Sequence, residues 1–193
     1  MKTNVNGRTV ELLTGDITKQ QTDAIVNAAN GTLLGGGGVD GAIHRAAGNN
    51  LLTACKSVRQ EKLNGEKLPT GEAVITDGFR LPATYVIHTV GPVWSGNHQQ
   101  RDEQLLADCY WNSLQLAADH QATSVAFPSI ATGVYRFPVD LAAQVALTTI
   151  ARFLRNQNDH DIRYVAMVLF SEQDYDIYQA SMEEIKTSTR DLE

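Results

Sequence analysis

Two glycine-rich loops contain the positions at which this sequence could bind a charged ligand. The first is Gly35–Gly38, a run of four glycines that opens a helical pattern beginning near Val39. Glycine has no Cβ, so a ligand can approach the main chain, and a helix start presents unpaired N–H groups at the positive end of its dipole. The second is Ser129–Tyr135, between an apolar strand that ends at Phe127 and the next helix. Both loops are candidate anion-binding sites, and two turns without a ligand are the alternative.

Polar side chains beside the first loop could act on such a ligand. Asn27 and Asn30 end a predicted strand in a run of small residues, and Asp40 lies in the first turn of the helix after the glycines. An exposed amide could orient a ligand, and a carboxylate next to an anion site could position a water molecule for attack on a substrate carbon. The structural alternatives are turn hydrogen bonds for the asparagines and a helix-dipole role for the aspartate.

Side chains near the ends of other strands widen the set of candidates. Asp16 could accept a hydrogen bond from an exocyclic amine, and the ring of Phe170 could stack on a base; a turn and core packing are the alternatives. His44 lies four residues after Asp40 on the same helix face, and His88 lies in an apolar strand. We expect both histidines to be packing residues, because nothing else completes a catalytic triad.

Strands and helices alternate along the chain and must position these residues. Apolar runs predict strands at Thr9–Leu13, Ala24–Val26, Ala73–Thr76, Tyr85–Thr89, Ser124–Phe127 and Tyr164–Phe170. Amphipathic patterns predict helices at Val39–Ala47, Asn49–Lys62, Arg101–His120, Val139–Asn156 and from about Glu172 onward. This order is typical of an α/β fold, in which helices cover both faces of a largely parallel sheet and ligands bind beyond the carboxyl ends of the strands. The length favours one domain over residues 1–193, with a frayed tail at 187–193.

Composition excludes several classes of function. The chain has 193 residues and a formal net charge of −6, which argues against a general nucleic-acid-binding protein. No run of 18 apolar residues predicts a membrane helix, and the first ten residues do not resemble a secretory signal. Only Cys55 and Cys109 are present, and the histidines are scattered, so neither a disulfide framework nor a zinc site is expected. We therefore expect a cytoplasmic protein without metal, cofactor or membrane contact.

The segment Gly36–Gly41 matches the pattern GxGxxG, so a dinucleotide-binding fold has to be weighed. That fingerprint directly follows the first strand and precedes an acidic residue that ends the second. Here Asn27–Leu34 separates the strand from the glycines, and Glu61, at about the right distance, lies in a polar helix end. The match is therefore accidental. A phosphate-binding loop of the GxxxxGK[ST] type is absent from the sequence as well.

Taken together, six stretches of the sequence resemble the macrodomain family, and specifically its MacroD-type hydrolase branch. They are Gly15–Thr18 (GDIT), Val26–Asn30 (VNAAN), Gly35–Gly48 (GGGGVDGAIHRAAG), Gly71–Ala73 (GEA), Ile87–Pro92 (IHTVGP) and Pro128–Tyr135 (PSIATGVY). They occur in the family's order and span about residues 8–180. The block from Val26 to Gly48 is the most specific.

The resemblance implies a three-layer α/β/α domain with a mixed, largely parallel sheet that binds ADP-ribose at its carboxyl edge. By analogy, Asp16 and the Ile17 N–H take the adenine and Phe170 stacks on it. The two loops hold the diphosphate through Gly36, Gly37, Gly38, Val39, Ser129, Ile130, Ala131, Thr132, Gly133 and Val134. Asn30 and Asp40 face the distal ribose, which Tyr135 covers, and Asn27 is counted among the ligand-binding residues.

The activity implied by the resemblance is hydrolysis of an ester at the distal ribose. The substrates would be O-acetyl-ADP-ribose or ADP-ribose linked to an acidic side chain, with Asn30 and Asp40 placing the water. A binding module that only recognises ADP-ribose is one alternative, and a phosphatase acting on ADP-ribose 1″-phosphate is another. The presence of an amide and a carboxylate together argues for catalysis.

Three positions depart from the family pattern. Arg136 stands where a glycine is common, Ala131 replaces a frequent serine, and Ser171 stands where an acidic residue often follows the stacking aromatic. None of these changes touches Asn30 or Asp40. The zinc-dependent branch of the family carries Cys and His in the catalytic loop, and glycine and valine occupy those positions here, so metal dependence is not expected.

Overall fold

A mixed sheet of seven strands is the centre of the protein in a computed structural model that describes residues 1–190. The strands are β1 (Lys2–Val5), β2 (Arg8–Thr14), β3 (Ala24–Ala28), β4 (Ala73–Asp77), β5 (Tyr85–Thr89), β6 (Ser124–Phe127) and β7 (Tyr164–Leu169). The helices are α1 (Gly38–Ala47), α2 (Asn49–Leu63), α3 (Gln99–Asp119), α4 (Val139–Asn156) and α5 (Glu172–Arg190). A short 3-10 turn at Ile17–Lys19 follows β2. The predicted α/β fold is confirmed.

The strand order in the sheet is β1-β2-β7-β6-β3-β5-β4. The five central strands from β2 to β5 run parallel to one another, whereas β1 and β4 pair antiparallel at the two edges. Parallel strands end at the same edge of a sheet, so the loops after β2, β3, β6 and β7 meet there. This edge receives all the candidate residues that the sequence places after strands.

The edge strand β1 is the element that the sequence patterns did not predict. Its residues alternate weakly and include three polar side chains, so it has no clear apolar face. The following residues, Asn6 and Gly7, have φ angles of 51° and 80° and form the two-residue connection to β2. Asn-Gly between two extended segments is the sequence signal for such a hairpin and could have revealed it.

The sheet buries a different core on each face. Side chains of α3, α4 and α5, such as Leu106, Ile150 and Tyr178, pack on one face, and those of α1 and α2, such as Ile43 and Leu51, pack on the other. Successive strand residues alternate between the two, as a pleated strand requires. This two-sided burial explains why the central strands are short, continuous apolar runs.

The closing helix α5 extends to Arg190, so residues 187–190 of the expected frayed tail are helical. Residues 191–193 lie outside the described part of the chain. Over residues 1–190, no helix is long and apolar enough to cross a membrane.

Candidate functional site

The two glycine-rich loops face each other across a cleft of about 320 Å³ at the carboxyl edge of the sheet. One wall consists of Asn30 and the segment Gly36–Asp40, and the other of Ser129, Ala131 and the segment 133–135. The family resemblance implied that these loops hold one ligand from two sides, and they meet here because β3 and β6 are neighbours and each leads into one of them. Most of the candidate residues therefore line a single cavity.

Asp40 lies at the inner end of this cleft and is 6% exposed. Its Oδ1 atom accepts a hydrogen bond from Asn27 Nδ2 at 2.9 Å and lies 3.4 Å from His44 Nε2. Both contacts use the same oxygen, so Oδ2 remains available to the cleft. The sequence favoured a packing role for His44, but its i+4 spacing from Asp40 brings the ring against the carboxylate.

Asn30 is fixed by hydrogen bonds to both ends of its side-chain amide. Its Nδ2 atom donates to the Gly35 carbonyl at 2.8 Å, and its Oδ1 accepts from the backbone N–H and the hydroxyl of Thr32. A Cβ on Gly36 would lie 3.2 Å from Asn30 Nδ2 and 3.2 Å from Asp40 Oδ2. The amide and the carboxylate thus converge on the space above Gly36, which only a glycine leaves open.

The main chain of both loops offers hydrogen-bond donors to the cleft. Within the described residues, the N–H groups of Gly35–Gly38 and of residues 131–135 have no acceptor. The unpaired N–H groups of the first loop lie at the start of α1, where the helix dipole adds a positive partial charge. Unpaired N–H groups arranged in this way are typical of phosphate-binding sites.

Buried tyrosines hold the second loop in place. The hydroxyl of Tyr110 accepts a hydrogen bond from the Ile130 N–H at 3.1 Å, and that of Tyr178 lies 2.7 Å from Ser129 Oγ. Burial raises the pKa of Tyr110 well above its usual range and that of Tyr178 to about 12, so both stay neutral. The backbone N–H of Trp94 also donates to the Tyr135 carbonyl at 2.8 Å.

Three predicted ligand residues, Asn27, Ile130 and Thr132, do not line the cleft. Asn27 and Ile130 are fully buried, and the Thr132 hydroxyl is engaged with the Ser129 carbonyl at 3.1 Å. Conversely, Gly91 and Pro128 line the cleft, although the sequence analysis placed them in family motifs without predicting a ligand contact for either. A Cβ on Gly91 would lie 2.9 Å from Ala131 Cβ, so this glycine permits the close approach of two loops.

The predicted base-binding residues lie next to one another beyond the cleft. The Gly15 N–H donates to the Leu169 carbonyl, which brings Asp16 and Phe170 to the ends of neighbouring strands. Phe170 is 91% exposed and free to stack, whereas Ile17 is buried. Hydrogen bonds from the hydroxyl and N–H of Thr18 lower the pKa of Asp16, so this carboxylate is ionised at neutral pH.

The departures at Arg136 and Ala131 occupy left-handed backbone positions. Their φ angles are 62° and 68°, a region that favours glycine and explains why a glycine is common at the position of Arg136. The Arg136 N–H donates to the Gly133 carbonyl, closing the turn. Within residues 1–190, no group of three His, Cys, Asp or Glu side chains comes together as metal ligands would.

His88 is fully buried below the site, and its burial lowers the pKa of the imidazole to about 3. The histidine gains a proton more easily when the chain is unfolded, so acid favours the unfolded state. The contribution of His88 to the free energy of unfolding is fully present above the pKa of about 6.5 that it has in the unfolded chain. This contribution is lost as the pH drops toward the pKa that His88 has in the folded protein. We expect the free energy of unfolding to fall by roughly 2–3 kcal/mol between pH 7 and pH 4.5, as measured by urea denaturation.

The variant His88→Asn is the control for this acid dependence. Burial also lowers the pKa of His160, so this residue too favours the unfolded state in acid, and only the difference between the two proteins reports on His88. The His88→Asn protein is expected to lose less stability over this interval. An identical pH dependence in both proteins would contradict the assignment.

Known proteins with the same architecture supply an independent comparison. The family model described as Macro domain matches residues 26–146. A macro domain-containing protein of Chlorobaculum tepidum is 53% identical over 90% of this chain and 95% of its own length. The O-acetyl-ADP-ribose deacetylase of Klebsiella pneumoniae is 54% identical over 88% of this chain and 93% of its own length.

A solved structure of the Oceanobacillus iheyensis macrodomain, the G37V mutant with ADPR, superposes on this fold. Its TM-score is 0.92 at 53% sequence identity, and the match covers 97% of this chain and 98% of that one. The family model spans most of the region from β3 to α4, which contains both loops of the cleft. The chain therefore belongs to the macrodomain family.

Proposed function

We propose that this protein binds ADP-ribose in the cleft and hydrolyses an ester at its distal ribose without a metal ion. The observation that carries the proposal is the convergence of Asn30 Nδ2 and Asp40 Oδ2, each 3.2 Å from the Cβ position of Gly36. A donor and a charged acceptor on one side of an anion site are the groups needed to hold and activate a water molecule. The name of the Klebsiella relative supports the same activity.

The proposal extends to the rest of the ligand along the carboxyl edge of the sheet, with the contacts that the family resemblance implies. The unpaired N–H groups of the two loops take the diphosphate, Phe170 stacks on the adenine, and Asp16 accepts from its exocyclic amine. Tyr135 covers the distal ribose. The Oceanobacillus macrodomain with ADPR supports this assignment of the ligand.

The reaction needs one water molecule and no other reactant. Asn30 Nδ2 donates to the water oxygen, and Asp40 Oδ2 accepts one of its hydrogens. The oxygen attacks the ester carbonyl carbon, and Asp40 takes the proton. When the tetrahedral intermediate collapses, the bond to the ribose oxygen breaks and Asp40 returns the proton to that oxygen. The products are ADP-ribose and a carboxylic acid, which is acetic acid or a restored acidic side chain.

A substrate panel tests the proposal. O-acetyl-ADP-ribose, glutamyl- and aspartyl-linked ADP-ribose and ADP-ribose 1″-phosphate are each incubated with the protein, and the products are separated by chromatography. Release of ADP-ribose from one of the esters is the expected result. Tight binding of ADP-ribose without any turnover would indicate a binding module, and inorganic phosphate as the sole product would indicate a phosphatase.

The charge distribution makes a separate prediction about salt. Neither loop contains a Lys or Arg, and only Arg136 lies at the edge of the second, so main-chain dipoles supply most of the attraction for the diphosphate. We expect the affinity for ADP-ribose, measured by calorimetry, to fall by less than about 3-fold between 50 and 200 mM salt. A protein that neutralises six to ten phosphates with basic side chains loses about 1,000-fold or more over this range.

The variant Arg136→Gly shows how much of any salt dependence comes from this one side chain. It also relieves a left-handed backbone position, so the variant is expected to fold. Its salt dependence should be flatter than that of the parent. A steep dependence that survives in the variant would contradict binding through main-chain N–H groups.

A further inference from the structure

A chain of buried polar side chains runs behind the cleft from Asp40 to the edge of the sheet. Asn27 Nδ2 lies 2.9 Å from Asp40 Oδ1 and 3.1 Å from His88 Nδ1, and His88 Nε2 lies 3.0 Å from Thr76 Oγ1. Asp40 belongs to α1, and the other three residues, Asn27, His88 and Thr76, belong to β3, β5 and β4. These three strands are adjacent in the sheet. All four side chains are buried, and of the four only Asp40 lines the cleft.

The chemistry of these four side chains fixes which group donates in each hydrogen bond between them. As a carboxylate, Asp40 only accepts, so Asn27 donates one amide hydrogen to Oδ1. The second hydrogen of the same nitrogen points at His88 Nδ1, which must therefore accept. The imidazole proton then lies on Nε2 and is donated to the Thr76 hydroxyl. Because burial lowers the pKa of His88 to about 3, this tautomer persists over the range in which the protein is assayed.

The orientation of the Asn27 amide depends entirely on these two acceptors. Its Oδ1 atom is buried and has no hydrogen-bond partner within the described residues. A rotated amide would turn this oxygen toward both the carboxylate and the imidazole nitrogen, which repel it. Removing the acceptor on His88 would thus leave one contact to hold an otherwise unsupported amide.

We propose that His88 is a positioning residue for the ester hydrolysis: it orients Asn27, which holds Oδ1 of Asp40 and leaves Oδ2 for the water. This inference rests on the proposed function. His88 itself touches no part of the cleft and acts only through Asn27. Thr76 takes part by accepting the Nε2 proton and so keeping Nδ1 free.

Two substitutions of His88 separate the two ends of the ring. In His88→Asn the side-chain oxygen can take the place of Nδ1 and accept from Asn27. In His88→Gln the amide reaches the place of Nε2, and only the contacts at that end, to Thr76 and Cys55, remain. We expect kcat for O-acetyl-ADP-ribose to fall about 10-fold in His88→Gln and to stay within about 3-fold in His88→Asn. The Kd for ADP-ribose should change little in either. Equal kcat values in the two variants would overturn the proposal.

Thr76→Val provides a nearly isosteric variant far from the cleft, in case the substitutions of His88 prevent folding. Loss of the Oγ1 acceptor should lower kcat without changing the Kd for ADP-ribose, whereas a packing role alone would lower only the melting temperature. An unchanged kcat in this variant would count against the proposal.

A measurement without turnover distinguishes failure of this inference from failure of the proposed function. If the wild-type protein hydrolyses no ester, the proposed function fails. The 15N NMR shifts of labelled histidine still test the hydrogen-bond chain, and the expected result is a proton on Nε2 of His88 at neutral pH. A proton on Nδ1 would overturn the assignment of Asn27 as the donor to Asp40.

Discussion

Asp40→Asn is expected to lower kcat for ester hydrolysis by about 100-fold or more, in the range found when a group that accepts the proton of an attacking water is lost. The new amide oxygen can still accept from Asn27, so the fold of α1 and the buried chain behind it are retained. Its nitrogen replaces Oδ2 and faces the cleft, where it can donate but not accept. The water is then neither aligned by a carboxylate nor deprotonated by one.

Binding should separate from catalysis in this variant. In the proposed binding mode the diphosphate contacts come from the loops, so the Kd for ADP-ribose, measured by calorimetry, is expected to stay within about 3-fold. Asp140→Asn is the matched control, because Asp140 is an exposed aspartate in the first turn of α4 and loses the same charge. Full turnover by Asp40→Asn would remove this residue from the mechanism. Equal losses in both variants would point to a general charge effect.

Local sequence patterns were sufficient to predict most strands and helices of the fold, because each central strand is an apolar run between turn residues. β5, β6 and α4 have the bounds that the sequence predicted. Inside the sheet β2 and β7 differ from the predicted bounds by a single residue at one end or both, and the largest difference is at β3, which extends through Asn27 and Ala28 because they pair with His88 and Thr89. A polar residue at the end of an apolar run looks like a loop residue until its cross-strand partner is known.

Prediction of the candidate site has the same limit, because local sequence patterns do not show contacts between distant residues. The glycine run and the positions of Asn30 and Asp40 are local signals, and the structure places all of them in one cleft. The position of Asn27 behind the wall depends on His88, which is 61 residues away in the chain. Gly91 is similar, because its need for a missing Cβ arises from the distant loop at Ala131. Contacts of this kind follow from the sheet topology rather than from any window of sequence.

Gly41→Ala is expected to lower the affinity for ADP-ribose by about 10-fold or more, although residue 41 does not line the cleft. A Cβ on Gly41 would lie 2.5 Å from the Gly36 carbonyl oxygen, a backbone atom of the glycine loop that cannot rotate away. The loop must therefore shift and take the N–H groups and the space above Gly36 with it. Calorimetry with ADP-ribose measures the loss of affinity, and a melting curve reports the cost to the fold.

Two opposing effects decide the stability of Gly41→Ala. Alanine in a helix is favoured over glycine by about 1 kcal/mol, whereas forcing an extra carbon into a filled space costs about 1–3 kcal/mol. The added Cβ would overlap a backbone atom, and residue 41 is buried. The cost of the extra carbon should therefore exceed the gain in helix propensity, and the melting temperature should fall.

Gly37→Ala is the matched control, since residue 37 belongs to the same loop, has a φ of −92°, and a Cβ there would meet nothing within 4 Å. We expect Gly37→Ala to melt like the parent and to bind ADP-ribose within about 3-fold of it. If Gly41→Ala binds as tightly as Gly37→Ala, the position of the Gly36 carbonyl does not determine the shape of the anion site.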